Sequence, residues 1–131
     1  MPAPSVATYS VAALVAAHTT FRDLIDADPV LLGSIKIRDA ADVLLAQIPL
    51  TDPPSTVNGA TGQLTITPSG RDESANASGT AAYGELCDGA GLVHLALPAQ
   101  AGLVAVSGKL VMNTLTVVAG GPVEALSVTV G

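Results

Sequence analysis

The chain has 131 residues, 49% of them hydrophobic but only 12% charged and 2% aromatic, with a net charge of −6 at pH 7 and a mean hydropathy of +0.53. A domain of this size usually carries about twice that charged share, so much of the surface must be Ala, Thr, Ser, Gly and Val, which suits a protein packed against other proteins better than an enzyme. Five Lys and Arg spread from Arg22 to Lys109 form no phosphate-neutralising patch, which excludes nucleic acid as a partner, and the single cysteine, Cys87, excludes an internal disulfide and a thiolate metal cluster.

The first elements are a proline-bearing arm and a helix. Pro2 and Pro4 mark residues 1–9 as an extended arm ahead of a single domain over 10–131. Residues 11–17 are apolar, but no Lys or Arg precedes them, so they read as helix rather than secretion signal. Ser10 is placed to cap this helix, with Val11, Leu14, His18, Phe21 and Ile25 on one stripe and Val15 and Leu24 beside it. Asp28-Pro29 stops it near Ala27, because proline forces the preceding residue into extended geometry.

From Gly33 the period changes to two. Ile35 and Ile37 alternate with Lys36 and Arg38, and after a turn at residues 39–42 the run 43–48 is the hairpin partner. Residues 51–55 are expected to be a loop, since Pro53 and Pro54 remove two ladder donors. Asn58-Gly59 is a turn signal, and residues 63–67 place Leu64 and Ile66 on one strand face. Residues 68–78, with Arg71, Asp72, Glu73 and Asn76, have no apolar period and read as a long exposed loop.

Residues 80–87 and 92–97 form a hairpin around Asp88-Gly89. The longest charge-free stretch, 89–108, is broken by Gly91, Pro98, Gly102 and Gly108, which rules out a membrane-spanning helix there. Strands at 109–112 and 114–118, a turn at 119–122 and a strand at 123–130 complete the chain. In the last, Leu126, Val128 and Val130 point one way and Ser127 and Thr129 the other. The fold expected is mainly β: a jelly-roll or β-sandwich of about eight strands with one N-terminal helix over an end or open face.

Groups able to do chemistry are sparse, and no catalytic, cofactor or metal site is assigned. No Gly-x-Ser-x-Gly or His-Glu-x-x-His signature is present. His18 is expected to pack in the helix stripe with its ring nitrogens hydrogen-bonded, and His94 to point outward from a strand. Asp23, Asp26 and Asp28 oppose the dipole at the helix C-terminus, so they should pair with Arg22 or with basic residues of a partner.

The order of segments resembles a group of small structural proteins of tailed phages. A short helix leads into Gly33-Ser34-Ile35-Lys36-Ile37-Arg38-Asp39, then into Leu44-Leu45-Ala46-Gln47-Ile48-Pro49-Leu50, and the chain closes with Thr116-Val117-Val118-Ala119-Gly120-Gly121-Pro122-Val123. With the size and the charge-poor composition, this resembles the capsid cement, or decoration, proteins of short-tailed phages. The resemblance implies a jelly roll on the outer surface of the virion that ties capsomers together, made in the host cytoplasm and without catalytic residues. Its partners would be the major capsid protein and a second copy across a symmetry axis, with neither nucleic acid nor membrane involved. The contact elements expected are the arm with Pro2, Pro4 and Tyr9, the polar loop with Arg71, Asp72 and Glu73, and a strand edge at Val128 and Val130. Two alternatives are a tail, neck or head-fibre protein of the same fold, and a small ligand-binding barrel or enzyme built around His94 or His18.

Overall fold

The computed structural model describes residues 9–28 and 30–130, so Pro2, Pro4 and Pro29 lie outside the described residues. Ser10 starts the helix as the sequence predicts, its hydroxyl accepting the Ala13 N–H at 3.2 Å, and α1 runs over Val11–Ile25. The helix ends two residues before Ala27. The Asp26 N–H closes the last turn on the Arg22 carbonyl, and Asp28 Oδ1 then accepts the N–H groups of Val30 and Leu31, both at 2.8 Å. A carboxylate that satisfies backbone donors two and three residues on competes with helix geometry.

Among the described residues the strands are β1 (Ser34–Arg38), β2 (Leu44–Val57), β3 (Leu64–Pro68), β4 (Gly79–Thr80), β5 (Tyr83–Cys87), β6 (Val93–Ala101), β7 (Lys109–Met112), β8 (Thr116–Val117) and β9 (Ser127–Val130). The fold is mainly β with one N-terminal helix. Seven strands close into a barrel in the order β1-β2-β3-β9-β7-β6-β5, and β4 pairs with β8 in a separate two-stranded sheet.

Two long strands are shared between the halves of the barrel. β2 pairs with β1 through residues 44–49 and with β3 through Leu50 and residues 55–57. β6 pairs with β5 through residues 93–98 and with β7 through residues 99–101. Residues 51–55 are therefore not a loop between strands, which corrects the sequence expectation. The two prolines do interrupt the ladder, whose register jumps between Leu50 and Ser55, but the chain stays extended because this is where β2 passes from one half to the other.

Alternation fills the interior. Ile35 and Ile37 of β1, Ile48 and Leu50 of β2, Leu64 and Ile66 of β3, Leu86 of β5, Leu110 of β7 and Val128 of β9 are all buried. The antiparallel register puts the β2–β3 turn, the start of β1 and the end of β5 at one end of the barrel, and α1 lies across it. Gly62 in the β2–β3 turn sits against Leu14, and Gly33 just before β1 sits against Ile25.

The segment after β3 closes the opposite end. Asp72 forms a two-way backbone bridge with Val123, its Oδ2 accepts the Gln47 N–H at 2.9 Å, and the Asn76 N–H donates to the Leu45 carbonyl at 2.8 Å. These bonds cover the edge of β2 that β1 leaves open, and Leu45 and Ala75 are buried beneath and within the crossing. Residues 68–78 are thus the long, mostly exposed loop expected from their polarity, but one stitched to the barrel as a strap by these bonds.

The strand edge expected at Val128 and Val130 does not exist. β9 is paired on both sides, with β3 and with β7, and Val128 faces the core opposite Leu110. The strand is also shorter than the 123–130 expected and does not keep the expected alternation: it begins at Ser127, Leu126 is exposed, and Val128 and Thr129 are both buried, because barrel closure uses up both edges.

Candidate interaction surfaces

Polar side-chain pairs mark the strap end of the barrel. At the strap end, Tyr83 donates from its hydroxyl to Asp42 Oδ1 at 2.6 Å, and this bond pushes the phenol up to about 12. Arg38 pairs with Glu85 across β1 and β5 and donates to the Asp42 carbonyl at 3.0 Å; the hydrogen bond to Glu85 raises the guanidinium further. A shallow cleft of about 170 Å³ lies beside the strap, lined by Met112, Thr114, Val117, Pro122, Val123 and Glu124 among others. Neither His18 nor His94 lines it.

The helix end exposes aliphatic side chains, as Val43, Leu103, Val104 and Val118 do elsewhere on the surface. Val30, Leu31 and Leu32 follow the Asp28 turn and are 83, 55 and 49% exposed, while Leu92 and Val93 at the β5–β6 turn are 63 and 40% exposed. The two turns touch. A Cβ on Gly89 would stand 2.2 Å from the Leu31 carbonyl oxygen and 2.8 Å from the Asp28 Cβ, so only glycine permits this approach. With the backbone polar groups of both turns directed onto Asp28 and Asp88, the aliphatic side chains are left facing outward. Leu24, on the last turn of α1, is also exposed.

Carboxylates edge this surface. Partial burial and the neighbouring Asp52 carboxyl hold the Asp26 carboxyl above the usual carboxylate range. Backbone hydrogen bonds from Leu31 and Val30 hold Asp28 below it. Asp23 lies one turn back, 3.5 Å from the Arg22 guanidinium.

The histidines serve the fold. His18 stands 2.6 Å from the Gly62 carbonyl through Nδ1, and because a carbonyl can only accept, Nδ1 carries the proton. His94 Nε2 lies 3.0 Å from Asp88 Oδ2 and its side chain is only 16% exposed, so it is shielded by the neighbouring turn rather than presented to solvent as an outward strand position suggests. Cys87 is buried and free, and burial pushes its thiol up. Among the described residues no three His, Cys, Asp or Glu are placed to hold a metal ion, and no helix is long and apolar enough to cross a membrane.

Of the residues nominated from sequence, Tyr9 is exposed just ahead of the helix and Pro2 and Pro4 lie outside the described residues. Arg71 and Glu73 are exposed and pair with each other at 3.1 Å. Asp72, between them, is committed to the Gln47 and Ser74 N–H groups and so to the strap itself. Val128 and Val130 are ladder residues. The structure thus does not bring the nominated residues together into one surface. The exposed aliphatic side chains at the helix end are not signalled by period, because residues 28–32 read as a helix stop; their sequence signal is the Val30-Leu31-Leu32 run placed in a turn instead of a periodic segment.

The chain matches no protein-family model, no curated protein and no solved structure.

Proposed function

We propose that this chain is a non-enzymatic structural protein of a virus particle, a capsid cement or decoration protein that binds the outside of the shell and links capsomers. The observation that carries the reading is the group of exposed aliphatic side chains at the helix end, on a surface with few charges to keep it apart from other proteins. Binding only the assembled shell stabilises that shell by mass action. The sharing of β2 and β6 between the two halves supports viewing the barrel as flattened, with the halves facing each other as in a jelly roll or sandwich. Barrel closure leaves the loops, the helix and the small β4–β8 sheet for contacts with the major capsid protein and with a second copy of the chain.

A tail, neck or head-fibre protein uses the same surface in a different place. An enzyme or ligand-binding barrel around His18 or His94 has less support, since both rings are engaged by Gly62 and Asp88 and neither lines the cleft. Quantitative mass spectrometry of purified particles tests the reading. A copy number near that of the major capsid protein supports a cement role, a few copies per particle supports the tail or neck alternative, and absence from particles rejects both.

A further inference from the structure

We propose that the surface formed by Val30, Leu31, Leu32, Leu92 and Val93 docks a protein surface whose apolar residues are edged by lysine and arginine. This names the partner chemistry for the assembly role and rests on that reading.

The aliphatic side chains are held in place by the backbone. Asp28 and Asp88 each accept two N–H groups from their own turns, and Gly89 locks the turns together against the Leu31 carbonyl. A preformed apolar surface loses little freedom on binding. Its edge sets the sign of the partner. Asp26 and Asp52 stand in mutual contact beside the loop, with Asp23 and Asp28 on the same segment. On the other side of the balance are Arg22, already at Asp23, and Lys36, near Gly91. The excess is acidic, and a cation brought to the Asp26–Asp52 pair relieves a repulsion present in the free protein.

The same rim disfavours the other occupants. In a two-fold pair an isologous patch meets its own copy, bringing acidic edge to acidic edge. An anionic bilayer is repelled for the same reason.

The test uses the full chain and two labelled 15-residue amphipathic peptides, one of Leu and Lys and one of Leu and Glu, followed by fluorescence anisotropy at low salt. The Leu/Lys peptide should bind and shift the backbone amide resonances of residues 24–32 and 88–93, while the Leu/Glu peptide should not bind. Leu31→Ser with Leu92→Ser should weaken binding by about tenfold or more. Asp26→Asn with Asp52→Asn should weaken it by about threefold and flatten its salt dependence. All four positions are at or near the surface, and urea titration verifies that both variants fold. Equal binding of the two peptides, or indifference to both variants, overturns the proposal. So does a concentration-dependent dimer that Leu31→Ser with Leu92→Ser dissolves, or binding to phosphatidylserine vesicles that the same change abolishes. Particle occupancy separates the two readings: particles that carry the Leu31→Ser, Leu92→Ser chain at full occupancy reject this surface and leave the cement role standing, whereas peptide binding mapped here by a chain absent from particles rejects the cement role alone.

Discussion

His94 and Asp88 face each other across the β5–β6 turn, with Nε2 3.0 Å from Oδ2, while the other carboxylate oxygen accepts the Ala90 and Leu92 N–H groups at 3.0 and 2.9 Å. One side chain therefore both shapes the turn that presents Leu92 and fixes a histidine on the adjoining strand.

These bonds, the one from His94 above all, hold the Asp88 carboxyl below the usual carboxylate range. An acid whose pKa is lower in the folded than in the unfolded chain stabilises the fold fully above its unfolded value, about 3.9, and loses that contribution as pH falls through the folded value. Asp88→Asn should therefore lower the urea midpoint above about pH 5. The gap to the parent chain should close below about pH 4 as the parent carboxyl takes up its proton. Urea titrations at pH 7, 5 and 3 measure it.

Asp26 gives the opposite sign. Its carboxyl is held up by partial burial and by Asp52, so its ionisation works against folding, and the cost appears as pH rises through the raised folded value. Asp52→Asn removes one charge of the pair and should raise the urea midpoint at pH 7. At pH 3, where the raised Asp26 carboxyl is largely protonated in the parent, the midpoints of parent and variant should converge.

Gly62 carries a positive φ of 76° in the β2–β3 turn, and a Cβ there would lie 2.5 Å from the Leu14 Cβ. Gly62→Ala meets both a left-handed backbone and a collision with the helix whose His18 is bonded to the same residue. The expected loss is about 2–4 kcal/mol, the sum of a left-handed penalty and overpacking. Thermal unfolding followed by circular dichroism reads it, and a loss below about 0.5 kcal/mol would mean that the turn and helix move apart freely.

Local signals in the sequence were read correctly where local chemistry decides. The Ser10 cap, the 39–42 turn, the Asn58-Gly59 turn and the buried pair Leu64 and Ile66 all stand where period and turn residues put them. What was not legible depends on partners distant in sequence. Pro53 and Pro54 break a ladder, but only barrel closure keeps β2 extended through them. The polarity of residues 68–78 gave no sign that Asp72 would reach Gln47, 25 residues away. The inward place of Val128 was visible, while the burial of Thr129 beside it and the pairing of β9 on both sides were not. Exposed aliphatic side chains gather at the helix end because two turns, at 28–32 and 88–92, meet through Gly89, and neither turn announces the other.

Gly84 and Leu110 provide a direct probe of closure. They lie on β5 and β7, which are both bonded to β6 but not to each other, and a Cβ on Gly84 would stand 2.8 Å from Leu110 Cδ2 inside the barrel. Gly84→Ala alone should cost about 1–3 kcal/mol by overpacking, and Leu110→Ala alone about 2–5 kcal/mol by leaving a cavity. In the double variant the new methyl group occupies space that Leu110 has vacated. The combined loss should therefore fall short of the sum by about 0.5 kcal/mol or more, as measured by a double-mutant cycle in urea. Strictly additive losses would place the two residues out of contact and would mean that the β5 and β7 sides of β6 do not curl toward each other as a closed barrel requires.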